Sequence, residues 1–230
     1  PESKEDFYQC AVAFGDFANL LAEFDATQLF EPLPRFHDTA KRFNDLLMAI
    51  ENNKSGRRDN VKAEIEFALA RREMTSKIVD KLKSGEIPTK VTHNDTKLNN
   101  VMLDDKTGKP VAVIDLDTIM PGTICYDFGD SIRFGCNPAA EDEVDLSKVN
   151  FDINLFEQYV KGYMSSLKAT MTKAEAENLA LGAIMMTYEC GIRFLSDFLD
   201  GDTYFKTTKE NHNLYRCRTQ FKLVSEMEKH

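Results

Sequence analysis

The segment HNDTKLNN, residues 93–100, places His93, Asp95, Lys97 and Asn100 on one short stretch of chain. The pattern H-x-D-x-x-x-x-N has a physical meaning in phosphoryl transfer. The aspartate can accept the proton of an attacking hydroxyl. The asparagine five residues on can ligate a magnesium ion, and a lysine two residues after the aspartate can neutralise charge on the transferring group. With 4 His, 20 Asp and 14 Asn in 230 residues, chance supplies the pattern roughly 0.02 times per chain. The competing reading is a polar loop with an incidental His and Asn.

A second carboxylate follows at a telling place. NVML (100–103) and KPVAVID (109–115) are strand-like runs joined by the turn-forming DDKTGKP, which predicts a hairpin. Antiparallel pairing of 100–103 with 111–115 brings Asn100 and Asp115 to the same open end, beside Asp95. Oxygen ligands with room for phosphate oxygens and water suit magnesium. Asn100 and Asp115 are therefore the metal candidates, and with Lys97 they are the candidates for holding MgATP.

The literal Asp-Phe-Gly of YDFGD, residues 126–130, is a decoy on this reading. Asp127 lies beyond Pro121 and Gly122 with no hairpin to return it to Asn100. Asp127 and Asp130 stand at the front of FGDSIRF, where carboxylates cap helix N-termini. Asp127 is read as a structural residue that braces the loop. His93 is read as orienting the loop, because Asp95 already occupies the base position.

The elements that must position these residues are mostly helical. Apolar residues recur three or four apart over 3–24 (Phe7, Cys10, Phe14, Phe17, Leu21) and over 36–51 (Phe36, Ala40, Phe43, Leu47, Ile50), which predicts two amphipathic helices. A long charged helix is expected from about Asn60 to Lys83, ended by Gly85 and Pro88. Further helices are expected at 152–168, 172–198 and 207–228, and TKVTH (89–93) is a short strand-like run. The predicted class is mainly α with a small β hairpin insert.

Net charge is 29 − 38 = −9, which argues against nucleic-acid binding and is compatible with a neutral or cationic substrate. Five cysteines (Cys10, Cys125, Cys136, Cys190, Cys217) lack CxxC spacing; free thiols in a reducing compartment fit better than a metal cluster or a disulfide framework. No signal peptide and no apolar run of about 18 residues is visible, so a cytoplasmic protein with no membrane partner is expected.

At these residues the chain resembles the aminoglycoside phosphotransferase and choline kinase group, small-molecule kinases of protein-kinase-like fold. The shared pattern is His93, Asp95 and Asn100, then Asp115 and Asp117, then Asp127 at a following helix start, over about 89–133. Within the group, HNDTKLNNVMLD, VIDLDTIMPGTICYDFGDSIR, YECGIRFLSDFLDGDTYF and the upstream LPRFHDTAKRF resemble the N-acetylhexosamine 1-kinases, which phosphorylate the anomeric hydroxyl of N-acetylglucosamine or N-acetylgalactosamine. The resemblance implies that Asp95, Asp115, Asp117, Thr118, Arg193 and Tyr204 lie at or near the sugar, with Mg2+ and ATP as cofactor and co-substrate. Carboxylates can accept sugar hydroxyl protons, and Arg193 and Tyr204 can donate to ring or acetamido oxygens. For Arg193 the competing reading is an i+4 pair with Asp197, for Tyr204 an ordinary loop aromatic, and for Asp117 a residue that holds the loop.

Kinases of this fold have an N-terminal lobe with a glycine-rich turn and a lysine paired to a helix glutamate. Before the loop at 84–88 there are only two isolated glycines, Gly15 and Gly56, and no G-x-G-x-x-G. The expected domain content is therefore a single helical C-terminal lobe over 1–230, with catalytic loop and metal hairpin at 89–133 and a substrate-binding part at 134–230. The N-terminal ATP-binding lobe of the same protein is expected outside this chain, which taken alone should bind ATP weakly. Two alternatives stand beside the sugar kinase. One is the same chemistry on choline, an aminoglycoside or homoserine, for which the absence of tryptophan is slightly unfavourable. The other is a non-catalytic pseudokinase module.

Overall fold

Ser3 starts the first helix by accepting the Asp6 N–H on its hydroxyl oxygen at 3.0 Å, the usual N-cap arrangement. The computed structural model describes residues 3–167 and 169–230. Among these, the α-helices are α1 (Lys4–Leu20), α2 (Thr39–Asn52), α3 (Lys62–Leu69), α4 (Lys77–Ser84), α5 (Ile124–Gly135), α6 (Ile153–Leu167), α7 (Lys173–Asp200) and α8 (His212–Met227). The strands are β1 (Lys90–Thr92), β2 (Val101–Leu103), β3 (Pro110–Val113) and β4 (Met120–Gly122). The architecture is mainly helical with two small antiparallel ladders, β1 with β4 and β2 with β3. No helix among the described residues is long and apolar enough to cross a membrane.

The chain forms two compact units. The first holds the described residues up to Phe36 with Lys81–Cys136 and Asp152–Ala183; the second holds His37–Asp80, Asn137–Phe151 and Ile184–His230.

In the first unit α1 lies against α6. Glycines allow the close approach: a Cβ on Gly162 would sit 2.4 Å from the Tyr8 carbonyl oxygen, and one on Gly15 would sit 2.8 Å from Ser166 Cβ. Between them an aromatic core forms, with Phe7 and Tyr159 ring centroids 4.8 Å apart and Phe128 5.6 and 5.5 Å from Tyr159 and Tyr163. The start of α7 carries a capping box: Thr172 Oγ1 accepts the Glu175 N–H and Glu175 accepts the Thr172 N–H, which satisfies two otherwise orphaned donors. Glu175 is fully buried and paired with Lys90 of β1 at 2.9 Å, so the same residue anchors the strand that leads into the 93–100 loop.

In the second unit a core forms from α2, α3, α8 and the later part of α7, including Phe43, Leu46, Tyr188, Leu195 and Phe221. Phe67 stacks on Phe221 at 4.5 Å. Tyr188 donates its hydroxyl to the Ala68 carbonyl at 2.8 Å.

Several expected elements differ. The single helix over 60–83 is broken into a 3-10 turn at Arg58–Val61, α3, a second 3-10 turn at Arg72–Met74, and α4. At the break Arg71 folds back on the Phe67 carbonyl and clasps Glu228 at 2.8 and 2.6 Å. Thr75 donates its hydroxyl to the Arg72 carbonyl at 2.7 Å. Such side-chain bonds to nearby backbone compete with the helical ladder. The first helix stops at Leu20 and not at 24, and the last begins at His212 and not at 207. On α2 the buried set is Thr39, Phe43, Leu46 and Ala49; of the predicted stripe only Phe43 is fully buried. Strand β4 was not expected, since Met-Pro-Gly has little strand propensity; its pairing with β1 is imposed by the partner. For α6, expected over 152–168, position 168 lies outside the described residues.

Candidate active site

Strand β1 delivers the chain to the 93–100 loop, and β4 holds β1 in register, with Thr92 opposite Met120 and Lys90 opposite Gly122. Gly122 is required by crowding: a Cβ there would lie 2.3 Å from Thr92 Oγ1. The loop then turns at Asn94, whose φ is 65°, a left-handed conformation that asparagine tolerates. Its side-chain amide donates to the carbonyls of Thr92 (3.1 Å) and Thr118 (3.0 Å).

Asp127 fastens this turn from α5. Its two carboxylate oxygens accept the backbone N–H groups of His93 at 2.9 Å and Asn94 at 2.8 Å. It does so from a position only 3% exposed. The expectation that Asp127 and Asp130 cap their own helix is corrected. Thr123 is the N-cap, its hydroxyl accepting the Cys125 N–H, while Asp130 lies further along α5 and pairs with Arg133 at 2.8 Å. Two more bonds tie the loop to α5: Thr96 donates its hydroxyl to the Asp127 carbonyl, and Ser131 donates to the Thr96 carbonyl at 2.7 Å.

His93 is fully buried, with Phe14 and Phe17 of α1 edge-on at 5.6 and 5.8 Å. Its Nε2 faces the Ile114 carbonyl at 3.0 Å and its Nδ1 accepts the Asp95 N–H at 3.3 Å. That pair of partners selects the Nε2–H tautomer. The ring thus ties the Asp95 backbone to the end of β3.

Asp95, Lys97, Asn100 and Asp115 come together. Lys97 Nζ donates to Asp95 Oδ2 at 2.7 Å and lies 3.9 Å from Asp115 Oδ2. Asn100 Nδ2 donates to the Asp95 carbonyl at 2.8 Å and to Asp95 Oδ2 at 3.1 Å. The β2–β3 hairpin forms with Val101 opposite Val113, and the Ile114 N–H bonds the Asn100 carbonyl at 2.9 Å, which brings Asp115 to the asparagine. Asp115 sits at φ 65°, and its side chain is 47% exposed. The Asp95 hydrogen bond raises the Lys97 pKa above its ordinary value, partly offset by burial, so the ammonium stays charged.

Among the described residues no group of three or more His, Cys, Asp or Glu side chains could hold a metal ion alone. Asn100 and Asp115 nevertheless fit magnesium, which is bound in phosphoryl-transfer sites by one or two protein oxygens with substrate phosphates and water completing the shell.

Asp117 and Thr118 lie on a 3-10 turn, Leu116–Thr118, directly after Asp115. Asp117 is exposed. Thr118 already donates its hydroxyl to the His93 carbonyl at 2.7 Å, so its first role in this structure is to hold the loop. All of these residues belong to the first unit. Arg193 and Tyr204 belong to the second, where they line a cavity of about 550 Å³ with Arg42, Asp45, Asp197 and Phe205. The Arg193 guanidinium lies 6.0 Å from the Tyr204 ring centre and 5.5 Å from that of Phe205. Tyr204 is 69% exposed. The carboxylate of Asp197, read from sequence as an i+4 partner of Arg193, accepts bonds from the 203–205 backbone and from Asn213.

Sequence reasoning missed Asn94, Thr96 and Ser131 as members of the loop scaffold. Only Asn94 carries a local signal, since asparagine is enriched at left-handed turns; the other two act through long-range bonds. Against known families, the sequence model of the phosphotransferase enzyme family, APH, matches residues 2–163.

Proposed function

The chain belongs to the phosphotransferase enzyme family, and from that premise we propose that it transfers the γ-phosphoryl group of MgATP to the anomeric hydroxyl of an N-acetylhexosamine. The family implies ATP use by a small-molecule kinase. The observation that carries the proposal furthest is the convergence of Asp95, Lys97, Asn100 and Asp115.

Asp95 acts as the base. Both side-chain bonds to it fall on Oδ2, so Oδ1 is the oxygen that takes the acceptor proton. As that proton leaves, the sugar oxygen forms its bond to the γ-phosphorus, and the bond from phosphorus to the β,γ-bridging oxygen breaks, releasing ADP. Lys97, kept charged by Asp95, shifts toward the transferring group and neutralises its equatorial oxygens. Asn100 and Asp115 would hold Mg2+, which when bound would supply positive charge against the phosphate. Asp117 and Thr118, beside Asp115, and Arg193 and Tyr204, in the cavity, are assigned to the sugar. The resemblance to N-acetylhexosamine 1-kinases supports this, and so does the chemistry of the cavity: a guanidinium beside an exposed tyrosine suits a neutral, hydroxyl-rich ring carrying an acetamide.

The test is phosphorus NMR of the full-length protein with ATP, Mg2+ and N-acetylglucosamine or N-acetylgalactosamine. An anomeric sugar phosphate is expected, and Asp95→Asn should slow its formation by about 10²- to 10⁴-fold, the usual contribution of a general base. Turnover only with choline, an aminoglycoside or homoserine would replace the acceptor while keeping the chemistry. Intact ATP with every acceptor would overturn the proposal.

A further inference from the structure

One carboxylate holds the loop that follows α7. Asp197 is 5% exposed. Its Oδ1 accepts the backbone N–H groups of Thr203 and Tyr204, each at 2.8 Å. Its Oδ2 accepts the Phe205 N–H at 2.9 Å and Asn213 Nδ2 at 2.8 Å. Three successive backbone donors thus converge on one anion, a nest built around a side chain instead of a free ligand. The chain reverses into this nest through Gly201 at φ 102° and Asp202 at φ 60°. Asp202 is itself held by Asn213 Nδ2 at 2.8 Å and by Arg57 at 2.8 Å.

An ionised carboxylate offers about four lone-pair positions, and four donors occupy those of Asp197. It therefore has nothing left to offer a ligand, although it borders the cavity. What it controls is the backbone that carries the cavity wall. Phe205 packs on Phe194 with ring centres 4.7 Å apart. Tyr204 stands edge-on to Phe205 at 4.8 Å, and Arg193 reaches over both rings. Charge-assisted bonds of this kind are stronger than neutral ones, and an exposed aromatic on a loop is otherwise free to move.

We infer that Asp197 is a positioning residue for the acceptor: it fixes the Thr203–Phe205 backbone so that Tyr204 and Arg193 present one preformed wall to the sugar. This rests on the reading of that cavity as the acceptor site. Loss of the charge should raise the acceptor KM and leave the ATP KM alone, because Lys97, Asn100 and Asp115 belong to the other unit.

The experiment compares steady-state kinetics of the full-length protein with Arg193→Ala, Asp197→Asn and Asn213→Ala, using N-acetylglucosamine and N-acetylgalactosamine. Expected are an acceptor KM at least tenfold higher for Asp197→Asn, about threefold higher for Asn213→Ala, and ATP KM within twofold of wild type for both. A purely structural role would lower the folded fraction and hence kcat while leaving acceptor KM unchanged. If Arg193→Ala raises acceptor KM and neither of the other two does, the positioning role is overturned and the cavity reading stands. If none of the three moves acceptor KM, the cavity reading falls and takes the inference with it. Should Asp197→Asn not fold, Asn213→Ala decides alone. A second readout does not depend on turnover. Residues 1–230 contain no tryptophan, so the difference in emission between Tyr204→Trp and the unsubstituted protein reports on the loop. Adding Asn213→Ala to it should shift the indole emission to the red and raise its quenching by iodide, and an unchanged spectrum would also overturn the inference.

Discussion

Lys97 and Asp95 are joined at 2.7 Å, with side chains 34% and 30% exposed. An ion pair this open contributes only about 0–1 kcal/mol to stability, so its meaning is chemical more than structural. The bond holds the ammonium charged, and on the proposed mechanism that charge is the one that meets the transferring phosphoryl group. The pH dependence follows from the raised Lys97 pKa. A group whose pKa rises on folding contributes its full stabilisation below its unfolded value and loses it as pH climbs through the folded value. In urea melts, Lys97→Met should therefore lower the midpoint slightly at pH 8, and the gap to wild type should close above the ordinary lysine value of 10.5. A gap that widens in alkali would contradict the pairing. In activity assays the same substitution should lower kcat far more than it lowers stability if, as proposed, its charge acts on the transition state.

At the scale of elements, the loop is precise because three different elements hold it. α5 supplies Asp127, Thr96 and Ser131 bridge loop and helix, and β3 receives His93 through the Ile114 carbonyl. α1 closes the back of the imidazole with Phe14 and Phe17. α1 is in turn held by α6, and the approach of these two helices depends on the absence of side chains at Gly15 and Gly162. Gly162→Ala would drive a methyl to 2.4 Å from the Tyr8 carbonyl oxygen. Overpacking of this kind costs about 1–3 kcal/mol, readable as a lower denaturation midpoint with an unchanged slope. Because α1 backs His93, Gly162→Ala should also speed amide exchange at His93 and Asn94. Unaltered stability would mean that the helix pair can slide apart at no cost.

Across the whole molecule, each unit has its own core, and the thiols are distributed through both. None of the five cysteines is in a disulfide. Burial, reinforced by Asp6, pushes the Cys10 thiol up to about 11; burial pushes Cys125 up to about 12 and raises Cys136 and Cys217 as well. A thiol must ionise to react. With Ellman's reagent at pH 8, the native protein should therefore release at most one equivalent quickly, because only Cys190 is less than fully buried. The other four should react only as the chain unfolds. Two or more rapid equivalents would show that one of these cores opens more readily than its packing implies.

The sequence by itself determined that Asp95, Lys97, Asn100 and Asp115 converge, because everything needed is local. Asp95, Lys97 and Asn100 share one turn, and a short hairpin with a turn-forming tip returns Asp115 to them. Helical periodicity likewise located α1 and α2 to within a few residues, and the helices expected at 152–168 and 172–198 correspond to α6 and α7. What tertiary structure alone decided lies at long separation along the chain. Asp127 is read from sequence as a brace of the loop, but that it accepts the His93 and Asn94 N–H groups, more than thirty residues away, no spacing rule predicts. β4 exists because β1 offers it a ladder, against the propensity of Met120, Pro121 and Gly122. The expected helix over 60–83 breaks where Arg71 finds Glu228. Asp197, plausible in sequence as a partner for Arg193, instead accepts three backbone N–H groups of a loop. In each case a buried or half-buried polar group takes the partner that packing brings within reach. The period of a helix reports which face is buried, but not what that face meets.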